Sequence, residues 1–299
     1  MRPAIIVHGG AWDIPPDLHQ DHRQGIGQAV RAGWRVLDAG GSALDAVEAA
    51  IVSMEDDETF DAGRGSFLNA DGQVELDAGF MDGADLQVGA VAGVQFIRNP
   101  ILLARAVMEK SEHVLLIAHG AERFAHKMGF PTCDLTDLAV PREFKRWQRL
   151  LYDQTYSTRQ PFSHPADTVG CVALDQAGHV AAGTSTGGTP NKMPGRVGDV
   201  PMVGCGFYAD DELGGASTTG WGEAIAKVIL ARLALHHLQD LGDVQAAAQA
   251  AIELLAQKAD GVGGVILLSP EGEPGWFYKT PHMACAYQVA GMDTPHVQL

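Results

Sequence analysis

The sequence predicts a mixed α and β fold, one domain of sheets covered by helices. Short apolar runs closed by glycines, such as AIIVHGG, alternate with segments whose small and apolar residues recur at helical spacing. No internal repeat, low-complexity tract or interdomain linker divides the 299 residues, a length that supports a sizeable core.

Each element follows from its local pattern. AIIVHGG reads as the first strand, and Gly25 to Met54 as helical, split at AGGSALDAVEAA with Ser42 as the N-cap of the second helix. MEDDETFDAGRGS collects acids and glycines, which on composition is a solvated turn or an oxygen-rich ion site. VELDAGFMDG and LQVGAVAGVQF pair as strands, followed by a helix from Pro100 to Lys110, a strand at HVLLIAHG and a helix at AERFAHKMGF. From Thr132 to Ala166 the periodicity fades into prolines, charges and aromatics, which predicts an exposed connection of more than typical loop length. TVGCVALD and HVAAGTSTGG, joined by QAG, form a hairpin by spacing. TPNKMPGRVGDVPMVG is too rich in Pro and Gly for a helix. A long helix from about Gly222 to Gln239 carries Ile225, Val228, Ile229, Leu233 and Leu235 on its apolar face. Two or three strands close the chain around Glu271 to Gly275.

Composition excludes several function classes. The formal charge of -16, from 37 acidic against 21 basic residues, disfavours a non-specific hold on nucleic acid or anionic membranes. No apolar run approaches the roughly 20 residues that span a bilayer, and MRPAIIVHGG enters a strand pattern without a signal-peptide core, so a cytoplasmic location is expected. Cys133, Cys171, Cys205 and Cys285 form no CxxC pair and no asparagine starts a glycosylation sequon, which points to reduced thiols.

Three chemistries compete. Gly183-Thr184-Ser185-Thr186-Gly187 matches the G-x-S-x-G elbow of serine hydrolases, but the elbow needs a helix directly after the serine and GTPNKMPGR forbids one. His19 with His22, or His236 with His237, suggests a metal, yet neither pair has a zinc spacing with further ligands nearby. The third candidate is Thr168, at the switch from connection to strand in PADTVGCVALD. A threonine hydroxyl needs a base within reach, and its own α-amine, with a pKa of roughly 7.7 to 8.0, serves once the Asp167-Thr168 bond is cut. On this motif alone, a threonine that merely opens a β-strand is the simpler reading.

HGGAW, GGSALDAVEAA, FDAGRGSFLN, ELDAGFMDG, DTVGCVALD, GTSTGG, PGRVGD and STTGWGE occur in the order found in plant-type asparaginases and isoaspartyl peptidases, and the chain resembles that family of N-terminal-nucleophile (Ntn) hydrolases over nearly its whole length. The resemblance implies an α+β fold, the αββα four-layer sandwich, and self-cleavage into an α chain 1–167 and a β chain 168–299. It implies Thr168 as nucleophile, Thr186 as the hydroxyl beside it, and Thr219 and Gly220 as the oxyanion hole. Arg196, Asp199 and Gly222 would hold the α-amino-acid end of an aspartyl unit, with hydrolysis of the β-linked amide in asparagine or a β-aspartyl peptide as the reaction. No catalytic cofactor is implied. A structural sodium ion is, held chiefly by backbone carbonyls of Met54, Glu55, Asp57, Phe60, Ala62 and Arg64. So is a homodimer of αβ units acting on a small-molecule or short-peptide substrate. This chain departs from the family at Asp61, where relatives usually have a substrate-contacting asparagine; a carboxylate there puts the substrate preference in question. Glycosylasparaginase, threonine aspartase and a non-processing amino-acid-binding homologue remain the alternatives.

Overall fold

A computed structural model describes residues 2–153, 155–157 and 167–299. The first strand, β1 (Ala4–Trp12), is buried along its whole length, as its run of apolar and small residues requires. Two helices follow, α1 (His19–Asp38) and α2 (Ala43–Glu55), with the Asp45 amide donating to Ser42 Oγ at 3.1 Å as the N-cap. Strands β2 (Leu76–Asp82) and β3 (Val88–Val94) pair antiparallel, then come α3 (Pro100–Lys110), β4 (Leu115–Ile117) and α4 (Ala118–Lys127).

The expected exposed connection from Thr132 is instead partly helical, with α5 (Leu135–Leu138) and α6 (Pro141–Leu150). Pro141 opens the second of these, a position where its missing N–H costs nothing, and Trp147 lies against Gly72. The remainder of that connection, residue 154 and residues 158–166, lies outside the described residues.

The second half begins with the expected hairpin of β5 (Val169–Leu174) and β6 (Val180–Thr186). A second hairpin, β7 (Phe207–Asp210) and β8 (Gly214–Gly220), was not legible, because GGASTTG lacks the apolar alternation of a strand. The long helix expected from Gly222 is two helices, α7 (Gly222–Val228) and α8 (Leu230–Leu241), broken at Ile229, whose φ of 55° is left-handed. A further helix, α9 (Val244–Ala259), precedes four strands: β9 (Gly263–Leu268), β10 (Pro274–Tyr278), β11 (His282–Val289) and β12 (His296–Gln298).

These strands form an eight-stranded sheet of order β12-β11-β1-β5-β6-β2-β3-β4 and a four-stranded sheet of order β10-β9-β8-β7. Every pairing is antiparallel except β3 with β4. Ile6, Val172 and Ala182 of the first sheet pack with Phe207, Ile266 and Leu268 of the second in one buried cluster. Ile5, Val7 and Cys171 point the other way, into a core shared with α1, α2 and α3, while Val265 and Leu267 meet α8 and α9. Alternation along each strand thus feeds two cores at once, which is why these strands read as continuous apolar runs.

The sheets approach most closely where side chains are smallest. A Cβ added at Gly79 of β2 would stand 1.9 Å from the Phe207 ring. Gly79→Ala is therefore expected to destabilise the chain by about 1–3 kcal/mol through overpacking, read as a lower urea midpoint at unchanged m value.

Candidate active site

Three strand ends meet at Thr168. It precedes β5, a central strand flanked by β1 and β6, so its neighbours are the end of β6, where Thr186 stands, and Gly9 of β1. The end of β8 faces it from the other sheet and carries Ser217, Thr219 and Gly220; the last two lie at a strand end rather than at the start of a helix, which begins at Gly222.

Thr168 is 7% exposed and donates from Oγ1 to Thr186 Oγ1 at 3.2 Å. Thr186 Oγ1 also accepts from the Gly188 amide at 2.9 Å. Its single proton has two acceptors in range, the Asp167 carbonyl at 3.1 Å and Asp61 Oδ2 at 3.5 Å. The Asp167 carboxylate folds back on its own peptide bond, accepting from the Thr168 amide at 2.8 Å. Gly10 makes room for it, since a Cβ there would stand 1.6 Å from Asp167 Oδ1.

A buried histidine holds the backbone of Thr168. His8 Nδ1 lies 3.0 Å from the Thr168 carbonyl and Nε2 lies 2.8 Å from Ser217 Oγ. Because a carbonyl only accepts, Nδ1 carries the proton and Nε2 accepts from the serine. Burial drives the His8 pKa down to about 3, so the ring is neutral and this tautomer satisfies both nitrogens.

On one side of Thr168 lies a narrow cleft lined by Asp167, Thr168, Thr186, Arg196, Asp199, Gly220 and Gly222, among others. Seven of the sequence-predicted residues thus share one cavity. Arg196 gives Nε and Nη2 to Glu223 at 2.8 and 2.9 Å, and Asp199 accepts from Thr218 Oγ1 at 2.9 Å. Burial raises the Asp199 carboxyl to about 6, outweighing that hydroxyl and the Arg196 guanidinium. Thr219 Oγ1 is buried with no hydrogen-bond partner among the described residues, and Thr219 is not among the residues that line the cleft.

Asp61 stands apart from this cleft. It lines a neighbouring narrow pocket with Trp12, Phe67, Arg142, Glu143, Arg146 and Asp167, among others. Its Oδ1 accepts from the Phe67 amide at 2.8 Å; burial, reinforced by Asp167, holds its carboxyl well above the usual range.

The rival chemistries find no support in the geometry. Ser185 points to the opposite face of β6 and donates to Glu55 Oε1 at 2.7 Å, within the core. Burial pushes the Glu55 carboxyl up to about 8. His19 and His22 donate to the Ile14 and Leu18 carbonyls, at 2.8 and 3.0 Å, and His236 lies beside Asp240. No group of three or more His, Cys, Asp or Glu side chains placed to hold a metal ion occurs among the described residues. In the acidic loop, backbone carbonyls crowd inward instead. The point where a Gly65 Cβ would stand lies 2.5 Å from the Phe60 oxygen and 2.7 Å from that of Glu58, and the Glu55 oxygen lies 2.6 Å from the corresponding point at Gly63. Two of these oxygens are already engaged, that of Glu55 by the Arg64 amide at 2.7 Å and that of Glu58 by Arg142.

Comparison with known proteins identifies the family. Residues 1–297 match the sequence profile of the family described as Asparaginase. The chain belongs to this family. It is 45% identical over 286 residues to an isoaspartyl peptidase/L-asparaginase of Xenopus laevis, covering 96% of this chain and 92% of that one. The corresponding protein of Bos taurus is 47% identical over 280 residues, 93% and 90% of the two chains. A plant-type L-asparaginase of Pyrococcus abyssi is 44% identical over 305 residues, 98% of each.

Three functional neighbours escaped the sequence reading: His8, Ser217 and Glu223. All three sit inside quoted motifs, His8 in HGGAW and both Ser217 and Glu223 in STTGWGE, which was the one available signal. The raised Asp199 carboxyl has a thermodynamic consequence. A folded pKa of about 6 against 3.8 favours folding below pH 3.8, and that contribution is lost as pH rises through about 6. Asp199→Asn should therefore stabilise the chain at neutral pH relative to pH 4 by about 1–3 kcal/mol more than it does in the acid, checked by urea titrations of both proteins at each pH.

Proposed function

We propose that this asparaginase-family chain hydrolyses β-linked aspartyl amides, releasing L-aspartate from isoaspartyl peptides and from L-asparagine. The observation that carries the reading is the shared cleft of Thr168, Arg196 and Asp199: a nucleophile, a carboxylate-binding fork and an ammonium-binding carboxylate in one cavity. The fold is the αββα sandwich of Ntn hydrolases as one domain, supported by two facing sheets with helical cores behind each.

Maturation comes first. Thr168 Oγ1 attacks the Asp167 carbonyl carbon, the C–N bond breaks, and an ester links Asp167 to the threonine oxygen. Water hydrolyses that ester, leaving an α chain 1–167 and a β chain 168–299 with a free amine at Thr168. That amine then takes the hydroxyl proton as Oγ1 attacks the substrate's β-carbonyl. Thr219 Oγ1 and the Gly220 amide receive the developing oxyanion. Proton return to the leaving nitrogen expels ammonia or a peptide amine, and water cleaves the β-aspartyl ester to release aspartate.

The other residues position these atoms. Thr186 orients Oγ1, supported by its 3.2 Å contact, and Asp61 takes the Thr186 proton once the Asp167 carbonyl has left, supported by the second acceptor distance of 3.5 Å. Asp61 thereby influences the choice between asparagine and β-aspartyl peptides. Arg196 and Gly222 hold the substrate's α-carboxylate and Asp199 its ammonium. The mature enzyme is a cytoplasmic homodimer of αβ units; no helix among the described residues is long and apolar enough to cross a membrane. Thr168→Ala is expected to remain a single full-length species and to lose all turnover, read by intact mass and by aspartate release. Turnover by that variant would sink the assignment.

Sodium in the 54–64 loop supplies only rigidity in this scheme. The carbonyls of Met54, Glu55, Asp57, Phe60, Ala62 and Arg64 hold it beside the strand ends of the site. The melting temperature in sodium chloride should exceed that in N-methylglucamine chloride of equal ionic strength by about 2–4 °C, since a ligand bound only by the folded state stabilises it.

A further inference from the structure

Glu223 is unaccounted for by this chemistry, yet it is the residue most intimately bound to the substrate-facing arginine. It occupies the first turn of α7, one residue after Gly222, and is 40% exposed, while Arg196 is 16% exposed. Its two oxygens take Nε at 2.8 Å and Nη2 at 2.9 Å, which fixes the plane of the guanidinium. Two glycines pack against its terminal nitrogens. A Cβ at Gly198 would stand 3.0 Å from Nη1, and one at Gly222 would stand 2.8 Å from Asp199 Oδ1 and 3.0 Å from Nη2, so a side chain at either position would crowd the fork.

We propose that Glu223 is a specificity-determining residue, which neutralises Arg196 while leaving it donors and so makes recognition of a carboxylate depend on an accompanying ammonium. The inference rests on the functional reading above. Arg196 and Glu223 cancel in charge, and Asp199, with Asp77 acting on the arginine as well, leaves this end of the cleft net negative. An α-amino-acid end, carrying carboxylate and ammonium together, adds no net charge. A ligand with the carboxylate alone adds a further negative charge a few ångströms from Asp199, and is repelled. Selectivity for a free aspartyl α-amine is thus set by an acid that need not touch the ammonium at all.

The test compares competitive inhibition by L-aspartate and by succinate, which differ only in the α-amine, against β-aspartyl dipeptide hydrolysis at about pH 8, where Asp199 is ionised. Wild type should favour aspartate. Glu223→Gln should narrow the ratio of the two inhibition constants by roughly tenfold, whatever happens to each constant through loss of arginine orientation, and Glu223→Asp should preserve it. Raising the ionic strength should narrow the wild-type ratio as well, a measurement that needs no variant. A ratio that stays within about twofold in Glu223→Gln and is insensitive to salt overturns the proposal. Wild type that neither hydrolyses the dipeptide nor binds L-aspartate overturns the functional reading, and this inference with it.

Discussion

The site depends on one buried bridge, the neutral imidazole of His8 hydrogen-bonded to the Thr168 carbonyl on one side and to Ser217 on the other. It joins the two sheets at the level of Thr168, where neither a salt bridge nor an apolar pair would serve. Both heteroatoms of a neutral imidazole are satisfied without desolvating a charge, so the bridge is rigid at low cost. It also explains Gly170, since a Cβ there would stand 2.0 Å from Ser217 Oγ and 2.3 Å from His8 Nε2. The closeness of the sheets and the placement of Thr168 are the same fact.

Around that bridge the site collects carboxyls that water cannot reach. Burial raises Asp61, Asp77, Asp167 and Asp199 above the ordinary carboxylate range, and each is answered by backbone amides, hydroxyls or a cation. Lys192, itself buried, donates to the Glu75 carbonyl at 2.8 Å and acts on both Asp61 and Asp77. The Asp167 carboxylate is held between Asp61 and the peptide bond it precedes. His22 Nε2 stands 3.8 Å from it, beyond hydrogen-bonding reach.

The parts that were legible share a physical basis. The β5–β6 hairpin, the β2–β3 pair and the Ser42 cap follow from interactions within a dozen or so residues, where periodicity and capping chemistry dominate. Ile229 breaks an otherwise continuous helical pattern because Gly204 lies against it: a Cβ at Gly204 would stand 3.0 Å from Ile229 Cγ2, and the Ala231 and Arg232 amides bond to the Cys205 and Gly204 carbonyls. That is a tertiary decision overriding helix propensity. The helix at Pro141–Leu150 was hidden for the opposite reason, since its charged residues cover an ordered surface rather than a core stripe: Arg146 lies over the Phe67 ring, and both Arg142 and Arg146 pair with buried Glu143.

By itself, the sequence determined the family, through eight motifs in order, and with it the residues capable of chemistry: a threonine at the mouth of a strand, its hydroxyl neighbours, and an arginine and aspartate three positions apart. Only the tertiary structure decided which of these share a cavity. Thr168, Arg196 and Asp199 do, whereas Asp61 lies in the adjoining pocket and Ser185 in the core behind β6. The structure alone also recruited His8, Ser217 and Glu223. The reason is separation along the chain: the His8–Ser217 contact spans 209 residues, and no local pattern records which strand ends a pair of packed sheets will bring face to face.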